Sequence, residues 1–250
     1  MTGLRVCLAW GCMVLMHAAH GTALQAQTIG EAFDLNSNEL LYSETHCLTP
    51  DAVTRQVLYR NPEGELIAYK VLDYEAGPTT PSFEQHNLYS NESVAVALQR
   101  GAVVVTTSDD RSSGESSSST LTPASGSPVV IDAGFDAFVT RHWGNLVAGE
   151  QQRFQFPVAA SEALVKLQIE AAPCSYQTQS DQCFRLAVDN WLLRLVADSI
   201  ELGYDAQSRR LTRFRGVSNI GDGSGSGSGS GLAVDIHYRY HDLAALQCDI

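Results

Sequence analysis

The sequence lacks a surplus of basic residues. It contains 16 lysines and arginines against 28 aspartates and glutamates, which gives a net charge of −12. A surface this acidic repels the phosphate backbone of nucleic acids, and the most basic stretch, Arg209–Arg215, is short. We therefore expect no nucleic-acid partner.

Motifs of common active sites are also missing. There is no Gly-x-Ser-x-Gly elbow, no His-Glu-x-x-His pair and no Gly-x-Gly-x-x-Gly phosphate loop. His237 and His241 share a strand face, but at ~3.3 Å per residue they lie about 13 Å apart, too far to bridge one metal ion. Asp132 and Asp136 suit a helix N-terminus, where negative charge is stabilised, better than a catalytic pair. The sequence thus predicts no catalytic residue, metal site or cofactor, and argues against an enzyme.

No apolar segment is long enough to cross a membrane. The longest, Val6–Met16, falls short of the ~20 residues that span a bilayer. Arg5 precedes it, and small residues follow it as far as Ala23 or Ala26, which is the pattern of a secretory signal peptide. We expect residues 1–26 to be removed by cleavage after Ala23 or Ala26. The mature chain is then periplasmic or secreted, from a bacterium, and has no transmembrane segment.

The six cysteines support export to an oxidising compartment. The tryptophan shortly before Cys12 fits a lipoprotein signal poorly, so we do not expect a lipid anchor there. Cys174 and Cys183 flank a polar, loop-like segment and are predicted to form a disulfide. Cys47 is then predicted to pair with Cys248, although four cysteines allow three pairings. Their spacing does not fit a zinc site.

Alternating apolar and polar residues predict many strands. The clearest structure is a hairpin over residues 53–74 that turns at Asn61–Gly64, where proline and glycine favour a turn. Further strands are predicted over residues 39–47, 94–98, 102–106, 153–156, 164–169, 184–188, 199–204, 210–215 and 232–240. This corresponds to eight to eleven strands in all.

Helices are fewer. Phe135–Ala148 carries apolar residues at helical spacing, with Asp132 as its predicted N-cap and Gly149 as its end. A short helix is predicted over Asn190–Val196. A sheet with one apolar face must bury it, and an amphipathic helix can cover it. The fold class is therefore α+β and β-rich: a curled antiparallel sheet, an open or half barrel, covered by one or two helices.

Two tracts are rich in small polar residues. Residues 108–127 are mostly serine, threonine and glycine, and residues 221–231 alternate glycine with serine. We expect both to be disordered loops within one domain, residues 27–250, because 44% of the residues are hydrophobic and the chain length suits a single β-rich domain.

Three segments, 61–74, 132–143 and 189–220, together resemble a family of exported, uncharacterised bacterial β-rich proteins. The resemblance covers most of the mature chain and implies the same fold, but it transfers no catalytic residue. More loosely, the final strand–turn–strand pattern resembles periplasmic lipoprotein-carrier proteins. These are open β-barrels covered by helices, with an apolar cavity for acyl chains.

This fold leaves three functions open. In the first, a lipid-like apolar ligand binds within the curled sheet in the cell envelope. The second is an envelope structural module with a protein partner, and the third, less favoured, is a hydrolase whose residues converge only in three dimensions. The predicted ligand-lining residues are Phe138, Trp143, Trp191, Leu192 and Leu193, although the same side chains would also suit a closed core.

Overall fold

Fourteen strands form one antiparallel sheet. The computed structural model describes residues 25–49, 53–109, 115–189, 199–221 and 231–241. The strands are β1 (Gln25–Asp34), β2 (Leu40–Leu48), β3 (Thr54–Arg60), β4 (Leu66–Asp73), β5 (Ser82–Asn87), β6 (Glu92–Gln99), β7 (Ala102–Asp109), β8 (Glu115–Leu121), β9 (Gln152–Val158), β10 (Ala163–Ala171), β11 (Asp181–Val188), β12 (Ile200–Asp205), β13 (Leu211–Gly221) and β14 (Gly231–Tyr240). In space they run from β8 through β1 to β14 and on to β9, so β8 and β9 are the two edges. The predicted β-rich antiparallel class is confirmed.

Three strands that the pattern did not predict raise the number to fourteen. These are β1, β5 and β8. In β5 the buried side chain at the middle of the strand is Gln85, not an apolar residue. Antiparallel pairing with both neighbouring strands, β4 and β6, therefore holds β5 in the sheet, although its residues do not alternate between apolar and polar.

The prediction of a disordered loop over residues 108–127 is wrong for much of that range. Ser108 and Asp109 end β7, and Glu115–Leu121 forms β8. A serine-rich segment has little apolar surface to bury, but antiparallel hydrogen bonding to β7 along its whole length holds it in the sheet. In the other tract, Gly221 and Gly231 pair with each other as strand ends, and the residues between them lie outside the described part of the chain.

The helix predicted over Phe135–Ala148 is divided into two short ones, α1 (Gly134–Arg141) and α2 (Trp143–Val147). His142, with φ −99° and ψ 12°, separates them. Asp132 is not the N-cap: its φ is +41° and its carboxylate accepts a hydrogen bond from Lys70 instead. Gly149, with φ +86°, ends the helical segment as expected, because this conformation favours glycine. No helix in the described ranges is long and apolar enough to cross a membrane.

The segment before α1 closes part of the gap between the ends of the curled sheet. The backbone N–H of Val130 donates to Gln155 on edge strand β9 at 2.9 Å, and Gln155 N–H donates to Pro128 at 2.8 Å. One residue further, Ile131 N–H donates to Thr79, between β4 and β5, at 3.0 Å. The two sides of the sheet are thus joined through this connection, which sets the position of α1.

The predicted disulfide Cys174–Cys183 is confirmed, with a Cα–Cα distance of 5.2 Å. Cys47 is buried, but its predicted partner Cys248 lies outside the described residues, so that pairing stays a prediction. The predicted helix over 190–196 also lies outside the described residues, as does nearly all of the predicted signal peptide.

Candidate functional site

One face of the sheet is continuous and encloses the helices; we call it the inner face. A row of register partners runs across it through Phe184, Leu202, Phe214, Ile236 and Ala32. Residues paired directly across antiparallel strands point to the same face. This row therefore joins β11 to β1 in one surface.

The helices fill only one half of the inner face, which we call the helix-filled half (β9–β12). Phe138 lies 4.8 Å from Phe154, between ring centroids, and Trp143 lies 5.4 Å from Phe184 and 6.0 Å from Tyr204. All five rings belong to one buried core. Two of the predicted ligand-lining residues, Phe138 and Trp143, are therefore packed in a core, and the other three, Trp191, Leu192 and Leu193, lie outside the described residues.

The other half, formed by β1–β4 with β13 and β14, has a second buried core to which no described helix contributes a residue; we call it the open half. The buried members of its core come from strands only: Ala32, Tyr42, Val57, Tyr59, Ile67, Ala68, Leu72, Ile220, Val234 and Ile236. Ala133, just before α1, packs against this core from the helical side. Phe214 is partly exposed and contacts the cores of both halves, which places it at their boundary.

A polar group is built into the open half around Glu44, which is only 5% exposed. His46 Nε2 lies 3.2 Å from its Oε1, and Tyr238 hydrogen bonds to the same carboxylate. The absence of a side chain at Gly30 leaves space for Glu44 and Tyr238, since a Cβ there would lie 2.7 Å from Glu44 Cγ and 2.9 Å from Tyr238 Cε1. Burial opposes ionisation of Glu44, but His46, Tyr238 and the charge of Lys70 lower its pKa.

A second buried charge ties the helical segment to the open half. Lys70 is 3% exposed, and its Nζ lies 2.7 Å from Asp132 Oδ1 and 5.1 Å from the centroid of Phe83. Since Lys70 is on β4 and Asp132 precedes α1, this ion pair holds α1 inside the curl of the sheet. Together with Glu44, it makes the open half more polar than an ordinary core.

The accessible end of the open half lies next to α1; we call it the mouth and define it by Arg55, Tyr74, Asp136, Arg210 and Tyr240. Asp136 is exposed, yet desolvation by surrounding protein raises its pKa. Burial is the main cause of the raised pKa values of Tyr74 and Tyr240, and the charge of Asp136 adds to both shifts. The mouth is thus accessible to solvent and is lined by β3, β14, α1 and the turns that follow β4 and precede β13.

The described histidines outside this polar group form no catalytic arrangement. His237 is on the outer face, with its side chain 46% exposed and its Nε2 3.2 Å from Asp235 Oδ1. The ring of His142 is tilted against that of Phe138, with 4.5 Å between the ring centroids. Within the described ranges no serine or acid hydrogen bonds to the His142 side chain, and no three metal-ligating residues cluster.

Sequence reasoning missed the polar group around Glu44. The signal was present as Tyr42, Glu44 and His46 at every second position of a strand whose inner face is buried. By contrast, the Lys70–Asp132 pair joins residues 62 positions apart, and no local pattern marks it.

Comparison with known proteins gives a likeness to solved structures and no match to a named family. No family model matches the chain, and no curated protein matches it. A crystal structure from Brucella abortus, titled as a beta-barrel-like protein of domain of unknown function DUF1849, is similar at 10% identity and a TM-score of 0.48. The match covers 88% of this chain and 97% of that one. It concerns a β-rich protein of unknown function and assigns no activity.

Proposed function

We propose that this protein is an exported binding protein that holds a lipid-like, apolar or amphiphilic small molecule in the open half of its inner face. The observation that carries this proposal is the unequal part that the helices play in the two cores. Helix residues complete the core against β9–β12, whereas the buried residues of the other core all come from strands, with Ala133 packed against them, and the solvent-accessible mouth adjoins that core. Concave sites with a mostly apolar wall and a few fixed polar groups are typical of small-molecule binding.

The composition of the open half indicates which chemical groups such a ligand should contain. Partly exposed apolar residues such as Phe214 and Leu232 can contact a hydrocarbon portion. Glu44, His46 and Tyr238 offer hydrogen bonds to a polar portion. A buried polar group costs free energy unless it is partnered, so a purely hydrocarbon ligand would fit this wall less well than an amphiphile.

The test combines native mass spectrometry of the purified full chain, solvent extraction, and titration with an apolar fluorescent dye. Ala133→Trp introduces an indole beside the core of the open half, and Val217→Trp places the same side chain on an exposed position of β13. We expect dye affinity to fall at least about tenfold in Ala133→Trp and to stay unchanged in Val217→Trp, provided both variants show wild-type circular dichroism. A wild-type protein with no co-purifying lipid and no dye binding would refute the proposal.

A protein-interaction role in the cell envelope is the second candidate, and a different surface favours it. On the outer face of β4–β7 lies a depression of about 300 Å³, lined by Val71, Ala95, Ala97, Val104 and Thr106. Cross-linking in intact cells should recover one reproducible neighbour if this surface binds a partner. That neighbour should disappear when Ala97→Arg fills the depression.

A further inference from the structure

Three exposed arginines near the mouth lie over aromatic rings. The guanidinium carbon of Arg55 is 4.9 Å from the ring centroid of Tyr74, and that of Arg210 is 5.0 Å from Tyr240. Beside them, Arg209 lies 5.6 Å from the centroid of Trp143. Stacking of this kind holds a guanidinium by its face and leaves the N–H groups at its edge free to bind.

Among the described residues, no acid lies within ion-pair distance of Arg55, Arg209 or Arg210. The outer-face arginines differ: Arg239, for example, pairs with Glu31 at 2.6 Å. In a chain with a net charge of −12, unpaired arginines gathered at one place are unexpected.

The carboxylates near these arginines do not cancel their positive charge. Asp205 accepts hydrogen bonds within its own turn, from the N–H groups of Gln207 and Ser208 and from the Ser208 hydroxyl. Asp136 interacts electrostatically with Arg55, and it is the acid that faces the mouth. One mouth carboxylate thus stands against two mouth arginines, with Arg209 beside them.

Tyr240 lies where the charges of these groups are felt together. Its hydroxyl donates to the carbonyl of Leu211, the first residue of β13, at 2.9 Å, which fixes the ring. Arg210 lies directly over this ring at 5.0 Å, and the charges of Asp136 on α1 and Arg55 on β3 also act on the hydroxyl. Two arginines from different elements thus influence one group at the mouth.

We propose that Arg55 and Arg210 bind an anionic group, a phosphate or a carboxylate, at the mouth, and that this group is the head of the amphiphile held in the open half. The inference rests on the proposed function. Guanidinium groups bind phosphates and carboxylates through paired N–H donors, and stacking on Tyr74 and Tyr240 orients them in advance. Arg209 lies on the helix-filled side and adds positive charge without being required as a direct ligand.

The experiment compares two acyl probes on the purified full chain. Dansyl-undecanoic acid has a carboxylate head, and its methyl ester has the same chain without the charge. We expect the wild-type protein to bind the acid at least about tenfold more tightly than the ester. This preference should disappear in Arg55→Gln/Arg210→Gln and persist in Arg185→Gln/Arg239→Gln, which removes an equal charge from exposed ion pairs on β11 and β14.

The remaining outcomes separate this proposal from the proposed function. Equal affinity of the wild type for acid and ester would overturn the anionic-head inference and leave ligand binding standing. A calorimetric titration with inorganic phosphate tests separately whether the arginines bind a free anion. Arginine-dependent phosphate binding without acyl-probe binding would support the anion site, assign it to a soluble anion and refute the lipid-like ligand. If neither acyl probe nor phosphate bound, both proposals would be overturned.

Discussion

Removal of the buried ammonium group of Lys70 should destabilise the fold more than removal of any exposed cation. Lys70→Met keeps a long, flexible side chain of similar volume and takes away the charge. The carboxylate of Asp132, whose side chain is 18% exposed, is then left without the partner now 2.7 Å away. Breaking a buried ion pair from one side costs about 3–5 kcal/mol, and the partial exposure of Asp132 places the expected loss near 3 kcal/mol.

The reverse variant and the double variant sharpen this prediction. Asp132→Asn leaves a lysine that is only 3% exposed without its counter-charge, so we expect a loss of about 3 kcal/mol or more. In Lys70→Met/Asp132→Asn no buried charge remains. The combined loss should therefore be smaller than the sum of the two single losses by about 1–2 kcal/mol.

The assay is urea unfolding of the oxidised protein at neutral pH, followed by tryptophan fluorescence and analysed for the unfolding free energy. Arg239→Gln is the control, because its exposed pair with Glu31 should contribute less than about 1 kcal/mol. The reasoning fails if Lys70→Met lies within about 0.5 kcal/mol of the wild type. It also fails if the losses of the two single variants are additive.

Three further outcomes follow from the same structure. Glu44 has a folded-state pKa below its ordinary value of 4.5, so the ionised carboxylate stabilises the fold above that pH, and this stabilisation is lost as the pH falls through the folded-state pKa. In urea unfolding between pH 7 and 3, the unfolding free energy of Glu44→Gln should therefore fall less on acidification than that of the wild type. An identical pH profile would contradict this. A Cβ on Gly203 would lie 1.8 Å from the Tyr176 hydroxyl oxygen, so Gly203→Ala should cost about 1–3 kcal/mol in thermal unfolding, whereas Gly144→Ala, with open space around its Cβ, should not destabilise. Loss of the Cys174–Cys183 bond in the double serine variant should cost about 2–3 kcal/mol, and an unchanged midpoint in urea would show that the loop is held by its other contacts alone.

The sequence predicts strands well where one face is buried and apolar. In β3, Val57 and Tyr59 lie on one face of the strand, and both are buried as that spacing indicates. The pattern fails for β5, whose buried middle residue is Gln85, and for β8, which is largely serine. There the strand is held by pairing with the strands directly before or after it in the chain, and its own composition carries little information about that pairing.

The candidate site is less predictable than the fold for the same reason. The mouth brings together Arg55, Asp136 and Arg210, which belong to a strand, a helix and a turn well separated in the sequence. Each of them alone is an ordinary surface charge. Their proximity depends on how far the sheet curls and where the helices lie, and only the tertiary structure fixes either.

Asp132 shows which effect prevails when local and long-range preferences compete. Its position before a helix favours N-capping, which typically contributes about 1 kcal/mol. The buried Lys70 needs a counter-charge whose loss would cost about three times as much. The carboxylate therefore turns to Lys70, the backbone takes a φ of +41°, and α1 begins without a side-chain cap. The stronger long-range interaction thus places α1 inside the curl of the sheet, where its next acid, Asp136, reaches the mouth.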